Sequence, residues 1–389
     1  MKLALVSLMS FAQLAAAQTR TVFAETPTFT ASRTGRFVVI ELKTPHLVLS
    51  TSGRAGGQTS AVRFLVNHQS GEANGEMNAR TANMTREEEH NEVAKDLGLD
   101  PAKTATMGTA ANMNHMGHRH IELRGIAVDA FVTAGVEGNA ARADDPSEWL
   151  ESEHGWVNVG KGTINTILVI NKPLTPGGQA RAAITMVEAK SAALAELAVG
   201  SLYSPHIATG SGTDQFIIAS PLDPTVKPLE WPASSTKLGQ MIGEAVLGAT
   251  LEALRWQNGL DPSATRNVTR ALGRFGLSEK ELQARLKKAM PEKNYEFLKK
   301  NPWAVTMDPA VSAAAFAYAA ILDRLQYGTL PEELASDALR SQAAVAATAL
   351  AGQPGRLSEF WNKISVSPND RLDPFVQGLA LGWQERWAQ

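Results

Sequence analysis

The stretch from Gly162 to Asp214 constrains this chain more than any other. It reads strand, helix, strand. Ile167-Leu168-Val169-Ile170 is short, largely β-branched and closed by Lys172-Pro173, the pattern of a buried strand. A helix is predicted from about Gln179 to Val199. The loop Thr209-Gly210-Ser211-Gly212-Thr213-Asp214 then leads into a strand over Phe216 to Ala219. On the helix, Ile184, Val187, Ser191, Leu194 and Ala198 fall on one face, and nearly every neighbour is apolar or small, so the helix is expected to be mostly buried. Glu188 and Lys190 sit among these side chains. A buried carboxylate is costly unless it is paired or put to use, so Glu188 reads equally as half of an ion pair and as an acid or base at the rim of a pocket. The hydroxyl-rich loop precedes a strand and lacks a Gly-Lys-Ser/Thr ending. It is therefore not a Walker phosphate loop, and by itself it reads as a polar turn.

The flanking sequence predicts strands at Phe37 to Leu42, His46 to Ser50, Ala61 to Val66 and Ile126 to Val132. Thr85 with Glu88 forms a capping box that opens a helix to about Leu97, and Ser235 caps a second long helix from about Thr236 to Trp256. Strands and helices do not alternate regularly enough for a doubly wound parallel sheet. The expected fold class is α+β, a mixed β-sheet domain covered by two long helices. One sheet or two stacked sheets both fit. Beyond Asn258-Gly259-Leu260-Asp261-Pro262 the segments Ser263–Phe275, Ser278–Met290, Glu292–Lys300, Pro309–Tyr327, Pro331–Ala351, Leu357–Ile364 and Asp373–Trp387 all read as helices, an all-α C-terminal domain.

The start of the chain has a different character. Lys2, the apolar run Leu3 to Leu14 and Ala15-Ala16-Ala17 have the form of a secretory signal peptide, with the mature chain beginning at Gln18. The expected location is periplasmic or secreted, with the cytoplasm as second choice. Thr19 to Arg33 reads as a polar, poorly ordered lead-in. The expected organisation is thus 1–17 signal peptide, 18–35 lead-in, 36–258 mixed-sheet domain and 259–389 helical domain. A net charge of −2 argues against a nucleic-acid partner, and the absence of cysteine excludes disulfides, thiol catalysis and cysteine-ligated metals. No other stretch is expected to span a membrane, and the oligomeric state stays open.

Several short pieces fall in order along the middle of the chain. They are Pro45-His46 to Gly57, Asn67-His68-Gln69, Leu97-Gly98-Leu99-Asp100-Pro101, Met107 with Thr109-Ala110-Ala111, and Ala134-Gly135 with Asn139-Ala140 and Arg142-Ala143. Further on come Gly162-Thr163-Ile164-Asn165, Glu188-Ala189-Lys190, Ala208-Thr209-Gly210 with Gly212-Thr213-Asp214, and Thr236-Lys237-Leu238-Gly239. From about Arg36 to Asn258 the chain resembles the adenosylcobinamide amidohydrolases of corrinoid salvage. The helical region and the His115 to His120 cluster lie outside that pattern. The resemblance implies hydrolysis of the amide joining the aminopropanol arm of adenosylcobinamide to the corrin ring, giving adenosylcobyric acid. The corrinoid is then the small-molecule substrate and no cofactor is expected. The alternative is an exported corrinoid-binding protein without turnover.

Amide hydrolysis needs an activated nucleophile, a donor to the oxyanion and an acid for the leaving amine. His68, at a strand end beside a Gly/Asn-rich loop, is the imidazole candidate, and it reads as well as a satisfied structural histidine. Glu188 is the carboxylate candidate, and Thr213 and Asp214 complete the catalytic set. Asn67, Asn139, Arg142, Asn165 and Lys237 can donate to the amide carbonyls that fringe a corrinoid. Thr163, Lys190, Thr209 and Ser211 complete the substrate-binding set. His115, His118 and His120 with Glu122 offer metal-ligand chemistry, and on a strand His118 and His120 would share a face. Such a run is commoner as a solvated loop, and no metal is expected.

Overall fold

A computed structural model of the chain describes residues 20–54, 56–70, 84–147 and 163–387. The expected signal peptide with its cleavage site, the loop over 71–82 and Gly162 lie outside the described residues. In chain order the first part runs β1 (Thr21–Glu25), β2 (Phe29–Thr34), β3 (Phe37–Leu42), β4 (His46–Ser50), β5 (Gly57–Thr59), β6 (Phe64–Gln69), α1 (Arg86–Asp96), β7 (Thr104–Thr109) and β8 (Gly117–Leu123). It continues with β9 (Ile126–Ala134), β10 (Ala140–Ala141), β11 (Ile164–Ile170), α2 (Pro176–Glu196), β12 (Gly210–Ser211), β13 (Gln215–Pro221) and α3 (Lys237–Asn258).

The strands form two mixed sheets. The first has the order β1-β2-β3-β6-β7, antiparallel except for the parallel pair β6/β7. The second has the order β5-β4-β13-β11-β9-β8, antiparallel except for β13/β11. The period of two in a strand explains how they stack. On β3, Val38, Ile40 and Leu42 join a core with Phe131, Ile167 and Ile217 of the second sheet, while Phe37 and Val39 join a smaller core with Val93 of α1. On β11, Ile167 and Val169 face the first sheet, while Ile164, Leu168 and Ile170 face α2 and α3. The result is four layers: α1, first sheet, second sheet, then α2 with α3. Strands buried on both faces read as continuous apolar runs, as β3 and β11 do.

Two expectations are corrected here. The lead-in is not irregular: β1 and β2 are the first two strands of the first sheet, and Phe29 and Ala31 are buried in the inter-sheet core. Their Thr- and Ser-rich alternation hid the strand pattern. The buried face of α2 is also not the expected one. Gly178, Gln179, Ala182, Thr185, Met186, Ala189, Ala193 and Leu194 are buried, while Ile184 and Val187 are 59% and 44% exposed. A helix apolar on nearly every side carries no clear periodicity. The side with the small residues lies inward because it lets α2 approach its neighbours closely.

Beyond Gly259, whose positive φ ends α3, comes an all-helical region. It comprises α4 (Val268–Leu272), α5 (Glu279–Ala289), α6 (Glu292–Lys300), α7 (Trp303–Thr306), α8 (Pro309–Gln326), α9 (Glu332–Ala351), α10 (Leu357–Lys363) and α11 (Asp373–Arg386). It has its own core, built around Tyr318, Phe360, Phe375 and Trp383. A side chain at Gly378 or Gly382 of α11 would collide with the backbone of α9 at Ala343 or Ala347, so glycine and alanine together set the close crossing of these helices. Among the described residues no helix is long and apolar enough to cross a membrane.

Candidate active site

One end of the sandwich is polar. Asn67 on β6, Thr133 on β9, Asn165 on β11 and Gln215 on β13 alternate with core residues and all point between the sheets. Asn165 Nδ2 donates to Asn67 Oδ1 and to the Gly108 carbonyl, both at 3.0 Å. Asn67 Nδ2 donates to Thr133 Oγ1 at 2.8 Å, and Gln215 Nε2 reaches the same Gly108 carbonyl at 3.0 Å. Asn67 and Asn165 are fully enclosed, and unpaired amides there would each cost about 1–3 kcal/mol. Paired as they are, they tie the two sheets together at this end.

Next to this network, β12 pairs with β10 in a short ribbon that presents the hydroxyl-rich loop. Asp214 is its anchor. Oδ1 accepts from Ile164 N at 3.0 Å and from Ser211 Oγ at 2.5 Å, the Ser211 N–H bridges both oxygens at 3.1 Å, and Lys190 Nζ pairs with Oδ2. A carboxylate offers about four lone-pair directions, and these donors fill them. Thr163 Oγ1 donates to the Thr213 carbonyl at 2.6 Å. A Cβ at Gly210 would strike Asp214 and Lys190, and one at Gly212 would strike Asn139. These glycines therefore serve close approach, and neither has a positive φ. A cleft of about 190 Å³ opens here, with Lys190, Asp214 and Gln215 at its polar corner and Met186, Val187 and Phe216 among its apolar walls.

Across Gly108 lies a second group. His68 follows Asn67 on β6, so it faces the opposite way, toward α1. Its Nε2 is 3.8 Å from Glu89 Oε1. Burial, with Arg36 and His90 nearby, pushes the His68 imidazole down to about 4, so it is neutral at pH 7 and the pair is not an ion pair. Burial pushes the Glu89 carboxyl up, against a weaker downward pull from Arg86. Gly108 lets the imidazole lie against β7, where a Cβ would come within 3.2 Å of the ring.

The structure thus gathers Asn139, Thr163, Asn165, Lys190, Thr209, Ser211, Thr213 and Asp214, with Asn67 joined through Asn165. Thr209 Oγ1 accepts from Ala143 N at 3.0 Å, and Arg142 on the same loop pairs with Asp144 at 2.6 Å. Three expected residues are not part of it, and His68, turned toward α1, is the first. Glu188 is exposed on the outer face of α2, so the burial argument for it fails. Lys237 is exposed in the first turn of α3, bonded to Gln240. The end of α3 that reaches the site region is the other one, where Asn258 accepts from Val136 N. A 22-residue helix is about 33 Å long, so Lys237 lies far off. Sequence reasoning missed Glu89, hidden in the acidic first turn of a capped helix, and also Gln215 and Gly108, which adjoin the matching pieces but carry no distinctive chemistry of their own.

Of the histidine run, His118 and His120 lie on strand β8, while His115 lies in the turn before it with its Nδ1 3.0 Å from Gln257 Oε1. His118 and His120 share a face as expected, and both meet the buried Asp129: His118 Nε2 at 2.9 Å and His120 Nδ1 at 3.1 Å. His118 also stacks on Phe131 with centroids 4.3 Å apart. Among the described residues no group of three or more His, Asp or Glu side chains could hold a metal ion.

Comparison with known proteins places these residues in a wider setting. The family model described as adenosylcobinamide amidohydrolase matches residues 21–262, which includes β1 and β2. An uncharacterized protein of Methanocaldococcus jannaschii is 35% identical over 175 residues, covering 42% of this chain and 68% of that protein. A solved structure, the PH0078 protein from Pyrococcus horikoshii, aligns over 61% of this chain and 83% of its own, at 12% identity and a TM-score of 0.31, too distant to argue from.

Proposed function

The chain belongs to the adenosylcobinamide amidohydrolase family, and from that premise we propose that it hydrolyses the aminopropanol amide of adenosylcobinamide, giving adenosylcobyric acid in corrinoid salvage. The observation that carries the reading is the cleft ending on Lys190 and Asp214. Pockets that enclose drug-sized ligands measure roughly 300–1,000 Å³. A cleft of about 190 Å³ suits a side arm of a corrinoid and leaves the macrocycle outside.

Within this reading Lys190 donates to the carbonyl oxygen as it becomes an oxyanion. One of its three N–H bonds is held by Asp214, which makes Asp214 the residue that positions it. Glu89, across Gly108 from this cleft on the α1 side, is the second acid–base candidate, since a carboxyl raised by burial is closer to the range useful at neutral pH; it serves an amide bound on its own side of the first sheet, not one held by Lys190. Neutral His68 stands beside it. Ser211 and Thr213 line the approach with hydroxyls, and Asn139 and Arg142 meet the amide fringe of the substrate. We further propose export, with a mature N-terminus at Gln18, which N-terminal sequencing of the secreted fraction checks. The activity is tested by incubating purified protein with adenosylcobinamide and chromatographing for adenosylcobyric acid. Product supports the assignment, binding without product indicates a carrier, and neither overturns the reading.

A further inference from the structure

The helical region reaches the candidate site through the loop between α2 and β12. Gly200 pairs with Ile207, and Ser201 N donates to the His206 carbonyl, so this loop closes on itself. Its outer side rests on the helices. Arg274, in the turn after α4, forms a two-pronged pair with Asp323 of α8 at 2.6 and 2.7 Å and donates to the Pro205 carbonyl. The His206 ring lies on Tyr327 with centroids 5.7 Å apart and planes 14° from parallel, and Tyr327 in turn reaches the Arg142 guanidinium.

The inner side of the same loop holds site residues. Tyr203 donates its hydroxyl to Asn139 Oδ1 at 2.8 Å. Ser201 Oγ donates to Asp145 Oδ2 at 2.5 Å, which also accepts from Arg142 N at 2.6 Å. Asn139 in turn accepts from Gly212 N through its carbonyl at 3.3 Å and donates from its amide to Thr213 Oγ1 at 3.5 Å. A contact that only joined two domains would have no reason to converge on one closed loop whose inward bonds end on Asn139 and Arg142.

We propose that the helical region is a positioning element for the active site: Arg274 and Tyr327 hold the 200–207 loop, and Tyr203 on that loop orients Asn139 against the ribbon that carries Thr213 and Asp214. The functional half of this inference rests on the amidohydrolase reading above. The mechanical half does not.

The test uses the full-length protein. Tyr203 and Tyr327 are 45% and 46% exposed, so replacing them leaves the folded cores intact. In Tyr327→Ala, amide hydrogen exchange across 200–214 speeds up by about tenfold as the loop opens locally. Its kcat on adenosylcobinamide falls about tenfold at unchanged melting temperature, since small displacements of positioning groups cost this much or more. Tyr327→Phe keeps the stacked ring and restores wild-type exchange. Tyr203→Phe removes only the bond to Asn139 and lowers kcat with the loop's exchange unchanged. Unaltered exchange in Tyr327→Ala overturns the proposal, and so does faster exchange with unaltered kcat. Should the wild-type protein not hydrolyse adenosylcobinamide, the functional reading fails on that ground, and the exchange measurement alone decides the mechanical link.

Discussion

The layered part of the molecule buries Asn67, Asp129, Asn139, Asn165 and Gln179 together with three histidines, His46, His68 and His90. In the helical region, among the described residues, no amide, imidazole or carboxylate residue is buried as a whole, although the Oε1 of half-buried Gln283 is enclosed. Thr306, Ser312 and Thr348 are its buried polar residues beside its tyrosines and tryptophan. Polar groups in an interior must be paired one by one, whereas apolar side chains need only fit. The difference marks where chemistry is held and where packing suffices. In the sandwich the buried amides gather at the end where the strand edges, the ribbon and the cleft meet. In the helical region Arg274 and Asp323, its most enclosed ion pair, sit where it touches the loop of the other part.

The sharpest way to break this contrast is to damage the helical core and watch the other part. Trp383 is fully buried, and its indole donates to the Asn294 carbonyl at 3.1 Å. Trp383→Ala is expected to cost about 3–5 kcal/mol, measured by denaturant unfolding. If the region serves packing and positioning, turnover should fall in step with loosening of the 200–207 loop while the exchange protection of β11 and β13 persists. Loss of protection in those strands would mean that the two cores fold as one.

The next effect tests the polar end itself. If the reacting amide lies on the α1 side of Gly108, Glu89→Gln lowers turnover by roughly a hundredfold or more, about 2.7 kcal/mol in the barrier, because the titrating proton is gone; unchanged turnover leaves the reaction to the Lys190 cleft. Stability should move the other way. A carboxyl raised by burial carries a penalty in its ionised form, absent below the unfolded pKa and growing as pH rises through the folded value. Glutamine has no ionised form, so the variant should melt no lower than the wild type at pH 7. Normal turnover in this variant would take Glu89 out of the chemistry.

Much of this was legible in advance, and the misses have physical causes. The capping box of Thr85 and Glu88 is present, with the Glu88 carboxylate bonding Thr85 N at 2.8 Å. The helical region was read nearly element by element because Pro, Gly and Asp punctuate it, and α6 begins and ends where expected. The mixed-sheet α+β class was legible too. That there are two sheets was not, because the inward and outward faces of β3 and β11 are equally apolar. For the same reason the outward Ile184 and Val187 of α2 were taken for core. At the site, Ser211, Thr213 and Asp214 were visible as an unusual loop. Glu89 was not, since an acidic residue in a first helical turn already has a sufficient local reason to be there.

Acid should separate the two regions more gently. Burial holds His68 near 4 against an ordinary 6.5, and lowers His46 and His90 as well. A histidine depressed in the fold gains its proton first in the unfolded chain. Its contribution is therefore intact above about pH 6.5 and is lost as pH falls toward 4. Glu89, shifted upward, acts in the opposite sense and offsets part of this. The helical region has no histidine at all. Exchange protection, corrected for intrinsic rates, should fall first in the strands of the sandwich between pH 6.5 and 4, and His68→Gln should flatten that fall. An equal fall in α9 and α11 would show that the histidines do not set the acid limit.

The smallest expected effect concerns the glutamate that the sequence pointed to first. Glu188 and Glu89 both lie on helices that cover a sheet, one on each side of the sandwich. Glu89 is turned toward His68 and Gly108, and its side chain is 28% exposed, enough shielding to raise its carboxyl. Glu188 lies on the solvent side of α2, between the exposed Val187 and the buried Ala189. A surface carboxylate in that position gains little from a partner and loses little when neutralised. Glu188→Gln should therefore keep turnover within about twofold and stability within about 0.5 kcal/mol. Measured beside Glu89→Gln on the same preparation, the pair tests whether burial, and not residue type or place in a family-like segment, selects the working carboxylate. A hundredfold loss at Glu188 with none at Glu89 would reverse the assignment. It would also require the substrate to extend from the cleft over the outer face of α2, where Ile184 would then join Val187 of the cleft wall in its resting surface.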